Sequence, residues 1–356
     1  MVNILNERGV PLLLHIRTLV AKKLFGSLGP SVVRVGRHRV VKGPCQLAEL
    51  EALRFIAQST SIPVPKIRRA YTYHGKLFIE LEYIKGMDLE SAWIQDLLSM
   101  DQKKAVVNQL AGFVRQLREL EPPQQGIVAS SNSKSCLDYR IGTMPVGPFS
   151  DHEEFHTFLR GNIPLEDCEK VYGQQVSQCH SRHYRTCFAH SDLTQRNIIV
   201  DNGKIVAIID WAFSGWYPEY WEYTKAHYGL LNIPDWYSEF GLAMPRYNSE
   251  LEAERSLWAQ FDEPGNQMRM YNRSITDVRR NASISPSMSS DLFRSELCLG
   301  SQFGKVKEYG LHAQKQAQLY ISDWNITSNG MAQQRVCIKT TDLVYQELHA
   351  ARDAPL

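Results

Sequence analysis

No two of the seven cysteines form a CxxC pair, and an odd number cannot all be joined within one chain. Cys45, Cys136, Cys168, Cys179, Cys187, Cys298 and Cys337 are scattered, which argues against a disulfide framework and a zinc ribbon and fits a reducing compartment. Long apolar runs are missing too. No stretch approaches the ~18 residues of a membrane span. The opening MVNILNERGVPLLLHIRTLV is broken by Glu7, Arg8, Pro11 and Arg17, unlike a secretory leader. Charge of one sign is also lacking, with 40 basic against 38 acidic side chains and a net charge of +2. That balance gives no reason to expect nucleic acid or an anionic membrane as partner. The expectation is a soluble, cytoplasmic protein. At 356 residues it is too long for one ordinary core, so two packed lobes are predicted.

Strand signals dominate the first quarter. Ser31 to Val35 and Arg39 to Lys42 are β-branched runs around Gly36-Arg37-His38, a hairpin signal. Leu47 to Gln58 has helical apolar spacing at Leu50, Leu53 and Ile56, and Ile62-Pro-Val-Pro65 ends it. Ala70 to Tyr73 and Lys76 to Tyr83 read as two further strands. Helices are predicted over Asp101 to Leu120, Asp151 to Leu159 and Leu165 to Tyr184, with Gln124 to Ser150 irregular. Ile198 to Asp201 and Ile205 to Asp210 flank Asn202-Gly203, a strong hairpin signal. Asn272 to Ser290 is rich in Ser, Asn and Arg and reads as a disordered linker.

The chemistry concentrates in His190-Ser-Asp-Leu-Thr-Gln-Arg-Asn197, followed by that hairpin and by Asp210-Trp-Ala. This is the H-x-D-x-x-x-x-N spacing with a second acid beyond, the catalytic and metal-binding layout of kinases. Phosphoryl transfer needs a carboxylate to receive the acceptor's proton, which suits Asp192. Mg²⁺ takes hard oxygen ligands, which suits Asn197 and Asp210. His190 is expected to brace the loop. A cation for the phosphates and an acid to orient it are also required. Lys42 ends a strand and Glu49 lies near the start of the next helix, in the order kinases use. Glu51 is the alternative acid, but it lies about 200° from Glu49 around a helix, so one of the two faces Lys42.

With these residues the chain resembles the aminoglycoside phosphotransferase and choline kinase superfamily, its fungal members in particular. The matching stretches are VVRVGRHRVVK, ALRFIAQSTSIPVPKI, LFIELEYIKGMDLESAW, AHSDLTQRNIIVDNGKIVAIIDW and FSGWYPEYWEYTKA, spread from about Ser31 to about Trp258. The resemblance implies an α+β, protein-kinase-like fold: an N-lobe over 1–85 with an antiparallel sheet and one helix, and a larger, mainly helical C-lobe over 86–262. It leaves 263–356 as an unassigned, partly disordered tail. It implies ATP and Mg²⁺ as cofactors, a small-molecule hydroxyl as acceptor, and backbone groups of Glu82 and Ile84 for adenine. Phe25 to Ser31 would replace the phosphate-covering loop, with Ser27 and Ser31 as hydrogen-bond donors. Two positions depart from the pattern: Ser191 stands where the family usually has Gly, and Ala212 where its fungal members usually have Glu.

Competing readings are weaker. A protein kinase is disfavoured because GxGxxG is absent and no Ala-Pro-Glu follows Asp210. A pseudokinase-like nucleotide-binding scaffold is the alternative, against which stand Lys42, Asp192, Asn197 and Asp210 together. His152-Glu-Glu-Phe-His156 matches the zinc-protease string, but Leu159 occupies the place of the metzincin glycine, so a solvated helix face is expected. Cys179, His180, His183 and Cys187 read as a helix end leading into the catalytic strand. Trp216 to Tyr223 reads as core packing in preference to a pocket lining.

Overall fold

The computed structural model describes residues 4–5, 10–228 and 236–265, all within the first of two units into which the chain divides, Met1–Ile275. The Asn272 to Ser290 reading, and the tail beyond 265, lie outside these residues.

In chain order the N-terminal part contains β1 (Ile4–Leu5), α1 (Val10–Phe25), β2 (Ser27–Gly29), β3 (Val32–Gly36), β4 (Arg39–Cys45), α2 (Leu47–Ser59), β5 (Ile67–Tyr73) and β6 (Lys76–Glu82). Its strands form one sheet in the order β1-β5-β6-β4-β3-β2, antiparallel except for the β1–β5 pair. Period-2 alternation puts Val40, Ala70, Ile79 and Leu81 on one face, against Leu50, Ala52, Leu53 and Ile56 of α2. The other face, with Val41, Tyr71 and Phe78, is covered by Leu14 of α1. Glu80 is buried on that face, where Arg17 of α1 (2.7 Å) and Arg39 (3.1 Å) neutralise it. The sequence reading assigned no element to α1. Its buried Leu14, Thr18 and Ala21 are matched by exposed Leu13, Ile16, Leu19, Val20 and Leu24, so no single apolar stripe marks it.

The remainder contains β7 (Met87–Asp88), α3 (Leu89–Ile94), α4 (Met100–Glu119), β8 (Ala129–Ser130), β9 (Cys136–Asp138), β10 (Gly142–Val146), α5 (His152–Leu159), α6 (Leu165–Tyr172), α7 (Gln174–His180), β11 (Thr186–Ala189), β12 (Ile198–Asp201), β13 (Lys204–Ile208), β14 (Gly215–Pro218), α8 (Trp221–Ala226), α9 (Trp236–Ala243) and α10 (Asn248–Gln260). It is a helical body with three small sheets, β13-β12-β7, β11-β14-β8 and β10-β9. α4 starts from a capping box between Ser99 and Gln102 and buries Val106, Leu110, Val114 and Leu117 against Phe188, Ile198 and Ile208. Among the described residues no helix is long and apolar enough to cross a membrane.

Two expectations need correcting. The segment Gln124 to Ser150, read as irregular, contains β8, β9 and β10, which are too short for their alternation to show in sequence. The helix expected over Leu165 to Tyr184 is two helices, because Gly173 takes φ 94° and closes α6. The Asn202-Gly203 hairpin forms as expected, with φ of 49° and 73° at its two turn residues.

The connector between the two parts, at Gly86, lies against that hairpin. Gly86 has φ 154°, and a Cβ there would meet Ile199 Cγ2 and the Val200 carbonyl oxygen, both at 2.7 Å. Gly86→Ala should lower the melting temperature by about 5 °C, a cost of about 2 kcal/mol in a domain of this size. An unchanged thermal melt would show that the connector can move off the hairpin freely.

Candidate active site

Lys42 leaves β4 opposite Ile79 of β6, in the middle of the sheet. Its Nζ bonds Glu49 Oε1 at 2.6 Å and Asp210 Oδ1 at 2.7 Å. Burial works against the ammonium charge, but the two carboxylates outweigh it and hold the group protonated above its ordinary range. Glu49 is therefore the acid that faces Lys42. Glu51 points elsewhere and accepts from Asn132 (3.0 Å) and Lys134 (3.1 Å), as the helical angle between the two requires.

β11 delivers the chain to His190, which is fully buried against Trp211. His190 Nε2 is 3.0 Å from the Ile209 carbonyl oxygen, and Nδ1 accepts the Asp192 amide at 3.2 Å. These partners require the proton on Nε2, and burial pushes the pKa down to about 4, so the ring is neutral. His190 thus ties the loop to Ile209, the residue after β13. Ser191 has φ 63°, the left-handed region that glycine adopts more readily than serine.

Asp192 Oδ2 accepts Asn197 Nδ2 at 2.8 Å, and the same nitrogen donates to the Asp192 carbonyl oxygen at 2.8 Å. Burial raises the Asp192 pKa in spite of Arg196, 3.5 Å from Oδ1, and Lys225. The Ile209 amide bonds the Asn197 carbonyl oxygen at 2.9 Å, and Ile198 pairs with Ile208, so Asn197 and Asp210 occupy the two open ends of one hairpin. Asp210 is itself left-handed, φ 65° and ψ 60°, ahead of a 3-10 turn over Trp211–Phe213. Its side chain is 44% exposed, against 14% for Lys42. Lys42, Glu49, Asp192, Asn197, Asp210 and His190 are therefore linked through short contacts into one site.

The Glu82 amide is taken by the Lys66 carbonyl at 2.9 Å, and its carboxylate lies 3.7 Å from Arg68. Ile84 follows in the connector toward β7. β2 and β3 form the hairpin over the expected phosphate-covering segment, but the Ser27 hydroxyl donates within it, to the carbonyls of Gly29 and Val32. This corrects the expectation that Ser27 offers its proton to phosphates. The Ser31 carbonyl accepts the Gly43 amide at 2.9 Å.

The HExxH string is also corrected. His156 is buried, stacks on His180 with centroids 4.2 Å apart, and bonds the Tyr220 hydroxyl at 2.9 Å. His152 bonds Thr186 Oγ1 at 3.2 Å. Burial lowers His156 to about 3 and His152 to about 4, so both are neutral packing groups and not a solvated face. No three His, Cys, Asp or Glu among the described residues form a metal-binding group. Cys179 and His180 close α7 and Cys187 lies in β11. Trp216, Tyr217, Tyr220 and Trp221 are all core.

Glu222 was missed. It is buried in α8, and its Oε2 accepts the amides of both His190 and Ser191, so it holds the loop from behind. The signal was available: with Glu219, it is one of two acids inside the aromatic-rich YPEYWEY run. Burial pushes Glu222 up to about 7, although both amides favour the charged form. Between pH 4.5 and 7 the native carboxyl keeps a proton that an unfolded glutamate has released, so stability contributed by this group falls as pH rises through that window. His190 acts oppositely: between pH 6.5 and 4 the unfolded ring takes up a proton that the native one refuses, so stability is lost as pH falls. Glu222→Gln should gain on the wild type by up to about 3 kcal/mol in urea unfolding between about pH 5 and about pH 8. A difference that stays constant with pH would remove Glu222 ionisation from the account.

No curated protein sequence matches the chain. Among solved structures, an aminoglycoside phosphotransferase from Streptomyces rimosus in complex with ADP and streptomycin has TM-score 0.43 at 16% identity, covering 70% of this chain and 97% of its own. The GDP and kanamycin complex of another aminoglycoside phosphotransferase has TM-score 0.46 at 15% identity, covering 74% and 94%. A thermostable mutant in ternary complex with ADP and hygromycin B has TM-score 0.44 at 15%, covering 67% and 87%. The assignment rests on the sequence itself: the model of the phosphotransferase enzyme family, APH, matches residues 25–258, about two-thirds of the length, and the chain belongs to that family.

Proposed function

We propose that this protein transfers the γ-phosphoryl group of ATP to a hydroxyl of a small molecule in the cytoplasm, with residues 1–85 and 86–262 as the two lobes of the enzyme. The observation that carries the reading is the Lys42–Asp210 contact, which joins side chains 168 positions apart to the loop of Asp192 and Asn197. In this reading Lys42, oriented by Glu49, donates to the nucleotide's phosphates. The Glu82 carbonyl and the Ile84 amide hold adenine, and the backbone of the β2–β3 hairpin lies over the phosphates. Asp192 receives the acceptor's proton, a task that its raised pKa favours.

The donor set suits Mg²⁺. Asp210 offers a carboxylate, and Asn197 directs its amide nitrogen at Asp192, which turns its carbonyl oxygen away; both are hard oxygen ligands. Bound there, the ion would neutralise charge on the triphosphate. Arg196 and Lys225 favour the ionised form of Asp192, in opposition to burial.

The test is a thermal-shift titration with Mg-ATP, followed by ADP release with D-glucose, myo-inositol, kanamycin, choline and glycerol as acceptors. Binding together with transfer to at least one alcohol is expected; binding without transfer to any would favour a scaffold. Asp192→Asn should cut transfer by about 10² to 10⁴ while Mg-ATP affinity stays within about twofold. Full transfer in that variant would sink the base assignment. Asp210→Ala should abolish the magnesium-dependent part of ATP binding, and an unaltered titration would refute its role as ligand.

A further inference from the structure

The turn joining β9 to β10 carries three consecutive residues in contrasting surroundings. Asp138 is fully buried: Oδ1 receives Lys225 Nζ at 2.6 Å and the Arg140 amide at 2.9 Å, and Oδ2 receives Trp221 Nε1 at 3.1 Å. Arg140 is fully buried as well, with Nε donating to Glu254 Oε2 at 3.1 Å and Nη1 lying 3.7 Å from Asp262. Between them Tyr139 turns outward, 47% exposed, and its ring packs edge-on to Phe213 at 4.3 Å and 74°. Phe213 belongs to the 3-10 turn directly after Asp210.

Burying two ion pairs is costly, and well-packed apolar residues would often serve stability as well or better. What this arrangement secures is the position of one aromatic ring: the backbone is clamped on both sides of Tyr139 by groups from α8 and α10. Rigid support of this kind is what a binding residue needs. The phenol also senses the candidate site. Burial raises its pKa, Asp210 and Asp192 raise it further, and Lys42 and Arg196 oppose them. Tyr139 belongs to the helical body and packs on Phe213 of the turn that directly follows Asp210.

We propose that the Tyr139 ring is the platform for the phosphate acceptor, stacking on the C–H face of a cyclic alcohol whose hydroxyl is thereby brought to Asp192. The proposal rests on the phosphotransferase reading. A flat aromatic face gives its largest contact to another ring, so cyclic acceptors gain most from it.

The experiment compares wild type, Tyr139→Ala and Tyr139→Phe on D-glucose, myo-inositol, kanamycin, choline and glycerol. For a cyclic alcohol that the wild type phosphorylates, Tyr139→Ala should raise the acceptor KM at least about tenfold, with kcat within about threefold and the ATP KM within about twofold. Tyr139→Phe should restore the acceptor KM, because the face and not the hydroxyl does the binding. An unchanged acceptor KM in Tyr139→Ala, an equal rise in the ATP KM, or wild-type transfer to glycerol or choline alone would overturn the proposal while leaving the phosphotransferase standing. Transfer by the wild type to none of the five would overturn both. If Tyr139→Ala does not fold, Tyr139→Leu, which keeps bulk against Phe213 without an aromatic face, takes its place under the same criteria.

Discussion

Lys42 joins the sheet to the β12–β13 hairpin, and the rest of the candidate site is arranged around that link. One ammonium group, largely out of water, is balanced by two carboxylates that come from different parts of the fold. Removing one partner of a buried pair leaves a charge without compensation, at about 3–5 kcal/mol, so the link constrains the sheet and the helical body to a common geometry. The partners are not equivalent. Glu49 is buried and fixed in the first turn of α2, whereas Asp210 is nearly half exposed and held in a left-handed conformation by the turn behind it. Lys42 therefore has one permanent partner and one that solvent or a ligand can reach.

Behind this link lies a largely buried layer. His190 fixes Asp192 to Ile209 just beyond β13, Glu222 fixes the His190 and Ser191 amides to α8, and Asp138 fixes Lys225 and Trp221 beside them. These groups answer backbone or side-chain partners, as low-dielectric surroundings demand, although Glu222 Oε1 has none. The histidines here and in the His156–His180 stack are neutral for the same reason, and their neutrality makes acid a threat to the fold.

Much of the candidate site could be read from the sequence, because its chemistry is local. His190 to Asn197, the Asn202-Gly203 turn and Asp210 fall within 21 residues, and the turn chemistry fixes how they meet. Lys42 and Glu49 were legible through the strand–helix order, and the helical angle separated Glu49 from Glu51. What was not legible depends on partners distant in sequence. α1 shows no single stripe because apolar residues ring it, and its place follows from Arg17 meeting Glu80 63 positions away. The β8 to β10 strands are two to five residues long, so period-2 patterning cannot reveal them. Glu222 and Tyr139 gain their meaning from contacts with residues about 30 and 70 positions away. Ser27 looked available for phosphate because its own hairpin could not be seen.

The α1 cover has a practical consequence for anyone trimming the chain. The family match begins at residue 25, where α1 ends. A fragment cut to that boundary would keep every charged residue of the candidate site yet strip the lid from Val41, Tyr71 and Phe78 and leave Glu80 short of a guanidinium. Its sheet would be wet on one side and sticky, so boundaries drawn from family likeness alone would yield an insoluble catalytic half.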